Sequence, residues 1–124
     1  MYSVTIRQHI MIAHSLPHPD FGPAQNMHGA TYVVDVTFFS AELGGQNIVI
    51  DIALAHRALK ETLKPLNYQN LDELPQLKGK LTTTEFLAKY IHDQVKAAVA
   101  DTFNGRIKVQ LGESHEAWAA YEGQ

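Results

Sequence analysis

The sequence predicts an α+β fold, in which an antiparallel sheet of four strands carries two helices on one face in the order β-β-α-α-β-β. Apolar and polar residues alternate near both ends of the chain, the period of a half-buried strand. Two central segments place apolar residues at helical spacing instead. Glycine and proline punctuate the stretches between them.

Val4 to Ala13 is rich in β-branched and apolar residues and reads as the first strand. Ser15 to Asn26 contains Pro17, Pro19, Gly22 and Pro23 and reads as a loop. Thr31 to Phe39 is the strongest strand signal in the chain. Gly44-Gly45 marks a turn, and Asn47 to Ile50 reads as a short extended piece. Asp51 is a candidate N-cap for a helix over Ile52 to Leu63, with Leu54, Ala58, Ala55 and Leu59 at helical spacing and Pro65 as its stop. Leu66 to Lys80 reads as irregular and polar. Thr82 or Thr83 opens the second helix, and Thr82 with Glu85 has capping-box spacing. Phe86, Leu87, Tyr90, Ile91, Val95 and Val99 form its apolar stripe. Gly105 turns the chain, Arg106 to Leu111 alternates as a strand, and Ala117 to Tyr121 reads as the last one. Helices on one face leave the other uncovered, so oligomerisation is expected.

At 124 residues and 45% hydrophobic composition, one globular domain spanning 1–124 is expected. A net charge of -3 without charge blocks offers no electrostatic footprint for nucleic acid or an anionic membrane. The absence of cysteine excludes disulfides, a thiol nucleophile and a thiolate metal site. Neither a signal peptide nor a membrane span is apparent, so a cytoplasmic location is expected.

His14 ends the first strand and His28 begins the second. Antiparallel pairing would bring both to the same end of the hairpin, where two neutral imidazoles could bind zinc. The same pair could equally be hydrogen-bonded polar residues at a loop edge. Glu113 follows the third predicted strand. Its two oxygens could accept from the guanidine-like edge of a heterocycle such as a pterin, or it is an ordinary turn residue. Glu85 fits a capping role, and His92 beside Asp93 is expected on a solvated helix face. For His115 and Glu116, near Trp118, pocket and surface placements both stand.

Blocks along nearly the whole chain resemble the 6-pyruvoyl-tetrahydropterin synthase / 6-carboxy-tetrahydropterin synthase family, in order and spacing. Ile12-Ala13-His14-Ser15-Leu16 is similar to its Ala-Ala-His-x-Leu, and Met27-His28-Gly29-Ala30-Thr31-Tyr32 to its His-Gly-His-x-Tyr. Asn47-Ile48-Val49-Ile50-Asp51 resembles Gly-Met-Val-x-Asp, and Leu66-Asn67-Tyr68-Gln69-Asn70-Leu71 resembles Leu-Asp-His-x-x-Leu. Thr83 to Ile91 resembles Thr-x-Glu-Asn-Leu-Ala-x-Tyr-Ile, and Glu113-Ser114 with Trp118-Ala119 and Tyr121 resembles Glu-Thr-Pro followed by Trp-Ala-x-Tyr. The resemblance implies the tunnelling fold and a homo-oligomeric barrel, often a hexamer of two trimers. It also implies a zinc-dependent carbon-oxygen lyase acting on dihydroneopterin triphosphate.

On that pattern His14 and His28 match two zinc ligands, but the third position is Ala30. The proton-carrying cysteine position is Ala24, and its aspartate and histidine helpers are Asn67 and Tyr68. Glu113 matches the pterin anchor. The ligand set for zinc is therefore incomplete, with His18 and Asp20 as candidate substitutes. Three readings follow: a pterin-binding relative with lost or altered lyase chemistry, an active synthase with replaced groups, and a non-catalytic oligomeric barrel.

Overall fold

A computed structural model describes residues Met1–Gln124. Its long elements are β1 (Tyr2–His14), β2 (His28–Ser40), α1 (Ile52–Leu63), α2 (Thr84–Ala98), β4 (Ile107–Gly112) and β5 (Trp118–Gly123), with a two-residue β3 (Gln69–Asn70) between the helices. The sheet therefore has five strands, in the order β3-β1-β2-β4-β5. The expected four are all antiparallel neighbours. The added β3 runs parallel to β1 at Ile12 and Ala13.

The β1–β2 hairpin is in register from Tyr2↔Ser40 to His14↔His28, with no bulge to break the alternation. Ile6, Ile10, Ile12 and His14 of β1, Tyr32, Val34, Val36 and Phe38 of β2, and Ile107, Val109 and Leu111 of β4 are buried on one face. Ala55, Leu59 and Leu63 of α1 and Leu87, Ala88, Ile91 and Val95 of α2 complete this core. The opposite face is polar at its centre. There Arg7 donates to both Asp35 oxygens at 2.7 and 3.0 Å, and Thr5 meets Thr37 at 2.8 Å. These are directly opposed pairs, the unit of cross-strand stabilisation.

α1 starts and ends as the sequence predicts, with the Asp51 carboxylate accepting from the N–H of Ala53 and Leu54. The second helix is capped by Thr83, one of the two predicted openers, whose hydroxyl accepts from Phe86 N–H at 3.1 Å. Other expectations are corrected. The Thr82–Glu85 capping box does not form, because the buried Thr82 hydroxyl is turned to His14 instead. Asn47 to Ile50 is irregular rather than an extended piece; it follows the turn at Gly44–Asn47, where Asn47 N–H donates to Gly44 O and Gly44 N–H donates to Ile48 O. The loop after β1 contains a 3-10 segment, Pro19–Gln25. The stretch from Leu66 to Lys80 is less polar than expected, since Leu66, Leu71 and Leu77 enter the core. His92 is buried, not solvated, at 2% exposure.

Candidate functional site

The full-length register of the hairpin brings His14 and His28 face to face. Their rings meet edge to face, with centroids 4.6 Å apart. The His28 Nδ1–H donates to the carbonyl of Asn26 at 2.8 Å, which leaves Nε2 with a free lone pair when the ring is neutral. His14 Nδ1 shares a hydrogen bond with the Thr82 hydroxyl at 2.9 Å. Burial, and then the neighbouring His28, hold His14 below the ordinary imidazole value, against the opposing pull of Asp72, Thr82 and Glu113. A neutral imidazole at pH 7 results.

Asp72 braces the end of β1 beside this pair. Its carboxylate accepts from the Ser15 N–H at 3.0 Å and from the Ser15 hydroxyl at 2.5 Å. Asn70 in turn accepts from the Asp72 N–H at 3.0 Å, which fixes the turn that carries the carboxylate.

Tyr32 lies four residues beyond His28 on the same face of β2 and is fully buried. Its phenol oxygen is buried without a hydrogen-bond partner, and the Thr84 side chain lies beside it. Burial raises its pKa, Thr84 opposes the rise and Glu113 adds to it, so the phenol remains a proton donor at neutral pH. Glu113 is exposed just past β4, where its N–H donates to Ala117 O at 3.0 Å. Its carboxylate is close enough to act electrostatically on both His14 and Tyr32. The structure thus gathers two imidazoles, an unpaired phenol and a carboxylate at one end of the sheet.

Ala30 sits on the face of His28, opposite Ile12. It offers no donor atom there. His18 is exposed and turned into its own loop, where Nδ1 accepts from the Asp20 N–H at 3.1 Å. No group of three or more His, Cys, Asp or Glu side chains is placed to hold a metal ion. These residues do not fit a three-ligand zinc site.

Ala24 lies in the 3-10 segment, with its carbonyl accepting from Leu16 N–H at 3.0 Å. Asn67 and Tyr68 stand at the outer edge of β1. The Asn67 carboxamide oxygen accepts from the Met11 N–H at 3.0 Å, and the Tyr68 N–H donates to the Met11 carbonyl at 2.6 Å. The Tyr68 backbone is left-handed, with φ of 59°, and the residue is 76% exposed. His115, Glu116 and Trp118 are exposed. Sequence reasoning missed Tyr32, Asp72 and Thr82 as members of the site. Strand alternation alone places Tyr32 inward, and a buried tyrosine normally needs a hydrogen-bond partner. No local signal points to Asp72 or Thr82.

Comparison with known proteins places this geometry. The family model described as 6-pyruvoyl tetrahydropterin synthase matches residues 3–124. The 6-pyruvoyl tetrahydrobiopterin synthase of Dictyostelium discoideum is 30% identical over 106 residues, which cover 84% of this chain and 76% of that protein. The 6-carboxy-5,6,7,8-tetrahydropterin synthase of Bacillus subtilis is 26% identical over 117 residues, covering 91% and 80%. The solved 6-pyruvoyl tetrahydropterin synthase of Caenorhabditis elegans superposes with a TM-score of 0.83 at 23% identity, covering 100% of this chain and 98% of its own. That likeness identifies the tunnelling fold.

Proposed function

The chain belongs to the 6-pyruvoyl tetrahydropterin synthase family, and from that premise we propose that it binds a pterin or related planar nitrogen heterocycle while its lyase chemistry is lost or altered. Glu113 is the anchor in this reading. Its carboxylate accepts two parallel hydrogen bonds from the heterocycle's ring N–H and amino group. Tyr32 and Thr84 flank the same end of the sheet and supply hydroxyl groups.

One observation carries the altered chemistry. Asn67 and Tyr68, at the positions of the family's aspartate and histidine, serve the backbone of β1. Asparagine does not titrate, its oxygen is occupied by an N–H, and Ala24 cannot move a proton. His14 and His28 without a third ligand do not complete the metal site that the resemblance implies.

Calorimetry with neopterin tests the binding half. Replacing Glu113 with alanine is expected to weaken binding about tenfold or more, the effect of losing a charge-assisted hydrogen-bond pair. Equal affinity in both forms removes Glu113 from the site. Turnover of dihydroneopterin triphosphate by the unmodified chain would overturn the altered-chemistry half and establish an active synthase with replaced groups.

Assembly into a homo-oligomeric ring is part of the proposal, with a hexamer of two trimers as the expected form. Two sheet edges support it. β5 ends the sheet on one side, and β1 is covered by β3 only at Ile12 and Ala13 on the other. Open edges of this length favour pairing with another chain, and head-to-tail pairing closes into a ring.

A further inference from the structure

We propose that His92 is a proton-dependent latch that fastens the C-terminal end of β5 to α2. The ring is buried in α2 at 2% exposure, and both of its nitrogens face acceptors. Nδ1 lies 2.9 Å from the Asp93 carboxylate, and Nε2 lies 3.2 Å from the carbonyl of Gly123. Neither acceptor carries a hydrogen. Both bonds exist together only when both ring nitrogens are protonated, in the imidazolium form.

The groups around the ring come from α2 and β5. Asp93 is shared with Lys89, whose ammonium lies 2.8 Å from the other carboxylate oxygen. From β5, the Tyr121 ring meets His92 edge to face at 4.7 Å, and Lys89 lies over the same ring at 5.4 Å. Glu122, the charged residue of β5, belongs to the opposite face and pairs with Arg106 at 2.9 Å. β4 and α1 turn apolar residues inward: Ile107, Val109 and Leu111 from one, Ala55, Leu59 and Leu63 from the other. Asp93 and Lys89 are therefore the charged groups facing the ring.

Loss of one proton breaks the arrangement in a defined direction. The carboxylate is the stronger acceptor, so Nδ1 keeps its hydrogen. Nε2 then presents a lone pair to the lone pairs of the Gly123 carbonyl, and attraction becomes repulsion. The end of β5 loosens from α2 while its pairing with β4 nearer Trp118 persists. The latch is built within one chain and does not depend on ligand binding or on assembly.

Nuclear magnetic resonance on the full chain reads both halves of this device. Ring ¹⁵N shifts are expected to show His92 protonated on both nitrogens at the acid end of its titration. As the proton leaves, exchange protection of the Tyr121 to Gly123 amides, corrected for intrinsic base catalysis, should fall about tenfold or more. Protection in the centre of β2 should stay constant. In the His92→Gln variant, which can donate to Gly123 but does not titrate, that step should disappear. A single-proton tautomer throughout, or β5 protection that does not follow the His92 titration, overturns the latch. Coincidence of the two curves in the unmodified protein decides the matter if the variant does not fold.

Discussion

Replacing Ala30 with histidine tests whether one missing donor is what separates this site from a zinc centre. The geometry is prepared for it. His14 and His28 are directly opposed, and residue 30 follows His28 on the same face, about 6.6–6.8 Å further along β2. His28 Nδ1 is committed to Asn26, which leaves Nε2 as its ligating atom, and burial favours neutral His14, so the His14 ring need not lose a proton to bind metal at pH 7. Changes outside a metal's ligand shell already alter affinity by about 10–100-fold. Adding a ligand should exceed this, so about 100-fold tighter zinc binding is expected. At free zinc 100 times the variant's Kd, binding adds about 2.7 kcal/mol of stability. The unmodified chain, with a Kd about 100 times weaker, gains about 0.4 kcal/mol at the same zinc. The difference corresponds to roughly 10 °C in Tm for a chain of this size. Competition with a chromophoric chelator and thermal melts with and without zinc measure both quantities, with Ala30→Asn as a control of similar polarity and weak ligation. An affinity gain below about tenfold would refute the reasoning. So would an unmodified protein carrying close to one tightly held zinc per chain; loss of that zinc in His18→Ala would then relocate the third ligand to the loop. Lyase activity is not expected to return, because Ala24, Asn67 and Tyr68 are unchanged.

At Gly105 an added Cβ would lie 2.6 Å from the Phe39 carbonyl oxygen and 2.7 Å from the Phe103 ring, so Gly105→Ala should cost about 1–3 kcal/mol. A denaturant midpoint equal to that of the unmodified protein would count against this contact. His14 has a depressed folded pKa, so its contribution is present above its ordinary value of 6.5 and is lost as pH falls through that value toward the folded one. Thermal melts across pH should decline on that acid side, less steeply in His14→Asn, and identical declines would remove His14 as a source. Sedimentation at micromolar concentration should show an oligomer, and a stable monomer would refute edge-to-edge assembly.

Local patterns in the sequence determine most of the architecture. Asp51 with the spacing of Leu54, Ala55, Ala58 and Leu59 bounds α1 at Ile52 and Leu63, because a cap and an amphipathic stripe are properties of neighbouring residues. Strand alternation likewise suffices to put Tyr32, Val34, Val36 and Phe38 on the buried face. The meeting of His14 and His28 follows from antiparallel pairing of the two strands that flank the loop. The tertiary structure decides the groups whose partners are distant in the chain. Thr82 looks like a cap until a histidine 68 residues away claims its hydroxyl. Asn67 looks like a vacated catalytic position until its oxygen is found on the Met11 N–H, 56 residues away. His92 looks solvated beside Asp93 until β5 folds over it and places Gly123 against its second nitrogen, 31 residues away. Each is a short polar side chain able to hydrogen-bond in several local settings, and only the packed chain fixes which acceptor or donor remains once water has been excluded.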